Sequence, residues 1–412
     1  MSRLGLLVLA VALLLSAAAA AASGAGEHRV LVVLATWGPK PISQAEVRRA
    51  VFEDAGAFIR KVSRGKSRLA GDVTPWLTAF AQEPPCNTRV IARDAREAAR
   101  KAGYDLARYD GFIYLHARNA CPFAGLGTGN EVWLNGSADG ELVVHEIGHT
   151  FKLPHANRWE CSEGTCTSIE YGDPYSTMGH GTGGYNAWEL HQLGWLPNVT
   201  RATRAVRYPI EALERVSDRP QALVVTTSRS EYWLELRVEP PSARDGVTPP
   251  AGVVVHAGPN LGADPSKLVF TGDDQLLPDP AGTGRPALRA GDSFAEPGAF
   301  RLEVVVIDGD LATIELEWTD RARPGRPPIE EVLVGPRTVD VSWWDAPELG
   351  SGVAFFEARV DRGAPRRVVP DWRVSPTANF KRPARGTHTA SVVAVDRAGN
   401  RGPAAVRRFT VR

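Results

Sequence analysis

The 412-residue chain has no excess of charge of either sign: 48 basic residues face 47 acidic ones, a formal net charge of +1. That balance argues against nucleic acid or an anionic membrane as the partner. Past the first 22 residues the sequence has no apolar run long enough to cross a bilayer. It also has no repeat of solenoid period. Cysteine is scarce, with Cys86, Cys121, Cys161 and Cys166 alone and no CxxC pair among them, which argues against a thiolate metal cluster. Methionine is scarcer still: Met178 is the only one besides Met1.

What is present begins at the N-terminus. Arg3 precedes an apolar run over 4–15 that grades into alanines ending near Ala22, the pattern of a cleaved export signal. We therefore expect residues 1–22 to be a signal peptide and the remainder to be exported, extracellular and without a membrane span. An even cysteine count in an exported chain favours two disulfides. Cys161 with Cys166 closes a tight local loop and leaves Cys86 with Cys121, although sequence alone does not fix the connectivity.

At this length two or three domains are expected. Residues 28–35 read as a buried strand, 43–62 as a helix capped by Ser43, 69–73 as a strand, 93–102 as a helix and 111–116 as a central strand. The stretch 125–134 reads as a glycine-loosened edge strand leading to a helix that begins near Asp139. This alternation predicts a mixed α/β (α+β) domain over 23–200. Beyond Pro197 the texture is strands without helices, predicting a β-sandwich over 201–320 that includes a Gly/Pro/Asp-rich excursion at 259–291. The Pro- and Arg-rich 321–328 reads as a linker. Alternation over 329–412, with a turn at 396–400, predicts a second sandwich of the fibronectin type III or immunoglobulin kind.

The chemistry concentrates in 143–156, VVHEIGHTFKLPHA. On a helix, His145 and His149 lie one turn apart on one face, so both imidazoles can reach a single zinc ion at roughly 2 Å. Glu146 stands beside the first ligand, where its carboxylate can take a proton from a water activated by the ion. His155 follows just after Pro154, which ends the helix and turns the chain back. Three histidines and a water describe an open catalytic site rather than a closed structural one.

These residues resemble the metzincin metallopeptidases, whose signature HExxHxxGxxH is followed by a methionine turn; the run Tyr175-Ser-Thr-Met178-Gly179 matches that turn. Four further runs are similar to the gametolysin family of metzincins over about 29–200: 65–73, 170–174, 185–187 and 193–196. The resemblance implies an extracellular endopeptidase for protein substrates, with one catalytic Zn2+ on His145, His149 and His155 and Glu146 as general base. Two positions depart from the pattern. The signature glycine is Lys152, where a left-handed backbone costs a side chain about 1 kcal/mol or more. The tyrosine that some metzincins place two residues past the methionine is His180, so His180 or Tyr185 is the candidate oxyanion contact. In this fold class substrate pairs with an edge strand above the metal, for which 125–133 is the candidate. No propeptide fits between Ala22 and the first strand, which predicts an enzyme active on export.

Two other readings compete. A catalytically silent zinc-fold protein would act in adhesion through its β domains, against which the intact Glu146 argues. A zinc hydrolase of small-molecule amide or acyl bonds would have little use for two trailing β domains. Asp273 and Asp274 could hold a structural Ca2+, though solvated loop acids are commoner. Oligomeric state is not legible, with a monomer as the default.

Overall fold

Residues 24–162, 165–257, 274–277, 286–371 and 374–412 are described by the computed structural model. The expected signal at 1–22 lies outside them, as do Asp273, the side chain of Asp274 and the side chains of Cys161 and Cys166. Among the described residues no helix is long and apolar enough to cross a membrane.

Leu31 to Ala35 are buried without exception, the continuous apolar pattern of a strand covered on both faces. They form β1 (Gly26–Thr36), flanked by β2 (Ser67–Val73), the short β3 (Leu77–Thr78), β4 (Gly111–His116), β5 (Gly125–Thr128) and β6 (Glu131–Asn135). The sheet order is β2-β1-β4-β6-β5, with β3 also on β1. All pairings are parallel except β5 with β6. The 125–134 stretch is thus a hairpin and not one strand: Gly129, at φ 61°, turns the chain, which places β6 inside the sheet and β5 at its edge.

The helix expected over 43–62 begins at Ser43 with a full capping box to Glu46. It runs as α1 (Gln44–Arg48), a π-helical stretch (Arg49–Ala55) and α2 (Gly56–Val62). Next comes α3 (Thr88–Lys101), capped by Asn87 and packed by Ile91, Ala92, Ala95 and Ala99 onto one sheet face. After it follow α4 (Gly140–Thr150) and α5 (Ala187–Gln192). Cys86 and Cys121 are joined by a disulfide.

The chain divides into two compact units, Met1–Pro154 with Tyr175–Pro197, and His155–Pro174 with Asn198–Arg412. The segment 155–174, placed by the sequence reading in the first domain, therefore goes with the second unit. It forms the hairpin β7 (Ala156–Ser162) and β8 (Thr165–Ile169). The strands that follow are β9 (Val199–Arg201), β10 (Arg207–Glu211), β11 (Ala222–Thr226), β12 (Glu231–Arg237), β13 (Gly252–Ala257) and β14 (Asp274–Leu276). After these come β15 (Ala287–Leu288), β16 (Ser293–Glu296), β17 (Phe300–Asp308) and β18 (Leu311–Trp318). One sheet runs β8-β7-β14-β13-β12-β11-β9 with β15 on β13, the other β10-β18-β17-β16. Their inner faces share one core, including Leu234, Val253, Phe300 and Ile314.

The remaining seven strands, between Ile329 and Val411, form sheets of three and four that enclose a separate core around Trp343, Phe356 and Val392. The chain is thus multi-domain, an α/β unit together with two all-β sandwiches.

Candidate metal centre

The helix α4 starts at Asp139, whose carboxylate accepts the backbone N–H groups of Glu141 and Leu142. Its residues 143–148 are buried, so His145 and Glu146 are polar groups embedded in packed surroundings, which is costly unless each is satisfied. His145 Nδ1 lies 2.9 Å from the Thr177 carbonyl and His149 Nδ1 lies 2.9 Å from the Leu153 carbonyl. A carbonyl only accepts, so each Nδ1 carries the proton and each Nε2 presents a lone pair. His155 Nδ1 is held likewise, 2.9 Å from Glu170 Oε1.

The three histidines each offer one ligand atom, and these atoms lie within 4.8 Å of one another. That donor set, three imidazoles in the same tautomer, suits a borderline-soft divalent ion such as zinc.

The turn after α4 explains how Lys152 replaces glycine. Lys152 takes φ 68°; its N–H reaches the His149 carbonyl at 2.9 Å, and the Leu153 N–H reaches the Gly148 carbonyl at 3.1 Å. That is the pair of hydrogen bonds of a Schellman cap, which wants a left-handed residue at this point. The conformation expected of glycine is therefore kept, and the lysine adopts it.

Met178 is fully buried in a tight turn, where Gly179 and Gly181 donate to the Ser176 carbonyl. Ser176 Oγ in turn donates to the buried Glu189. The same turn presents Thr177 to His145. Beneath the helix, the Met178 sulfur fills the space a side chain on Gly148 would need. Gly148 was not singled out from sequence, although a glycine mid-helix is a signal of close packing. Gly125 and Gly127 act similarly at the edge: a Cβ on Gly125 would meet the Glu146 carboxylate, and one on Gly127 would meet the Glu146 carbonyl. The edge strand thus runs directly against the HExxH turn of the helix.

The two oxyanion candidates part company. Tyr185 is 1% exposed, lies 3.4 Å from the Val144 carbonyl and packs on Phe58 and Trp195. Burial, with Glu189 beside it, pushes its phenol far above the usual range and keeps it protonated. It is a core residue under the helix. His180 is only half-buried.

Residues 71–208 match the Gametolysin peptidase M11 family. The matched segment is similar to gametolysin peptidases, and it contains the HExxH helix, His155 and the turn at Met178. No curated protein matches the chain. Among solved structures, the spore cortex lytic enzyme SleM of Clostridium perfringens is 11% identical at a TM-score of 0.20, over 26% of this chain and 36% of that one. The present chain thus spans about a third of that protein's length. The fibronectin(III)-like modules of Clostridium thermocellum CbhA are 10% identical at a TM-score of 0.16, over 52% of this chain and 89% of that one.

Proposed function

We propose that this protein is an exported zinc endopeptidase in which His145, His149 and His155 hold one Zn2+ and Glu146 is the general base. The observation that carries this reading is the convergence of three imidazole ligand atoms within 4.8 Å, with a buried carboxylate next to the first of them. A zinc ion bound there supplies Lewis acidity, lowering the pKa of water to about 7 and polarising a carbonyl.

The protein's own groups do the rest. Thr177, Leu153 and Glu170 fix the imidazole tautomers. The Glu146 carboxylate accepts the proton of the attacking water and delivers it to the departing amide nitrogen, which needs no covalent intermediate. Pairing of a peptide with the edge strand β5 supplies affinity through main-chain hydrogen bonds. A protein or peptide substrate is supported by the family match and by the edge strand beside the helix. Export, inferred from residues 1–22, agrees with a disulfide between Cys86 and Cys121.

Glu146→Gln tests this reading, since it keeps the shape of the side chain and removes the base. Against a proteome-derived peptide library the wild type should cut while the variant loses at least about 100-fold in rate, the usual scale of general-base catalysis. Equal cleavage by both proteins, or none by either, would overturn the assignment.

A further inference from the structure

The third histidine is oriented by a different part of the molecule from the first two. His145 and His149 rest on carbonyls of the first unit. The ring of His155 meets the Glu170 carboxylate at 2.9 Å and the Tyr171 ring at a centroid distance of 4.1 Å, and all three residues belong to the segment that packs with the second unit.

That segment is anchored at several levels. Its strand β7 continues the eight-stranded sheet by pairing in parallel with β14, which pairs with β13. Past β8, Tyr171 takes φ 58° and its N–H reaches Asn157 Oδ1 at 3.0 Å. The Asp173 N–H then reaches the carbonyl of Ala156, the residue after His155. The Asp173 carboxylate is fully buried and meets Nε2 of the fully buried His256, on β13, at 3.0 Å. Such a pair, inside a packed core, persists only where both partners are held.

We propose that Glu170 is a positioning residue for His155, and that the segment just past the hairpin, which carries Glu170, is anchored to the strands of its own unit by the Asp173–His256 pair. This rests on the zinc reading above. A carboxylate that accepts from Nδ1 keeps the ring in the tautomer whose Nε2 is the ligand and makes that nitrogen more basic.

The test is zinc affinity, read by competition with a chelator, alongside the melting temperature of the metal-free protein. Because Glu170 is largely exposed, Glu170→Ala should leave the metal-free melting temperature where it was while zinc binding weakens about 10- to 100-fold, the usual effect of losing an outer-shell partner. Glu170→Gln keeps an accepting oxygen and should recover most of the loss. Asp173→Ala, assayed well below its melting transition, should also weaken zinc binding. If the wild type binds one zinc and Glu170→Ala binds it equally tightly, the positioning role falls and the metal site stands. If the wild type binds no zinc, both fall together.

Discussion

At the scale of single residues, the site depends on backbone demands as much as on ligands. Gly148 makes room for Met178, Gly125 and Gly127 admit the helix, and Lys152 accepts a left-handed turn that a glycine would take without cost. A side chain in that region costs about 1–2 kcal/mol, against about 0.4–1 kcal/mol for the extra unfolded-state freedom of glycine. The first term wins. Lys152→Gly should therefore raise stability by several tenths to about 1 kcal/mol in chemical denaturation, with zinc affinity unchanged because the Schellman bonds are kept. Lower stability would show that the lysine side chain makes up for its strain. The grouping of His145, His149 and His155 in space was legible in the sequence from helical spacing together with the proline before His155. For Tyr185 the sequence favours a packing or surface role over an oxyanion contact, and its burial against Phe58 and Trp195 places it in the core.

At the scale of elements, local patterns served well and long-range pairings did not. The strands β1 and β4 and the caps at Ser43 and Asp139 follow from apolar runs and capping residues. The β5–β6 hairpin was missed because Gly129-Asn130 sits inside a run that reads as one strand. The allegiance of 155–174 was missed because it depends on β7 pairing with a three-residue strand more than a hundred positions later, and on an Asp173–His256 contact that no local signal announces. Asp320, just past β18, Glu348 and Asp396 come together so that one carboxylate oxygen from each lies within 4.8 Å of the others. Burial first, then the neighbouring acids, hold Glu348 above the ordinary carboxylate range, against the pull of the Gly350 and Gly352 N–H groups. Asp396 is raised as well, by burial first. A carboxyl whose folded pKa exceeds its unfolded value binds more protons when folded, so its contribution improves as pH falls through that window and worsens as pH rises. Glu348→Gln mimics the protonated form. Its melting temperature relative to wild type should be most favourable near about pH 7 and should lose that advantage towards about pH 5; an advantage that grows on acidification would reverse the sign.

At the scale of the whole molecule, an α/β unit carries the HExxH helix, the Met178 turn and the edge strand, while the segment bearing His155 folds with the β-sandwich strands. A domain boundary drawn from composition at about residue 200 assigns 155–174 by position rather than by packing. The family match over 71–208 reaches past that boundary into β9 and β10. Peptide cleavage by this protein is proposed to depend on one zinc held by His145, His149 and His155. That dependence is tested most directly by measuring peptide-library cleavage before chelation, after removal of metal, and after one equivalent of zinc is returned. Cleavage should be lost on removal and recover on return, with the same product ends. Undiminished cleavage by the metal-free protein would contradict it.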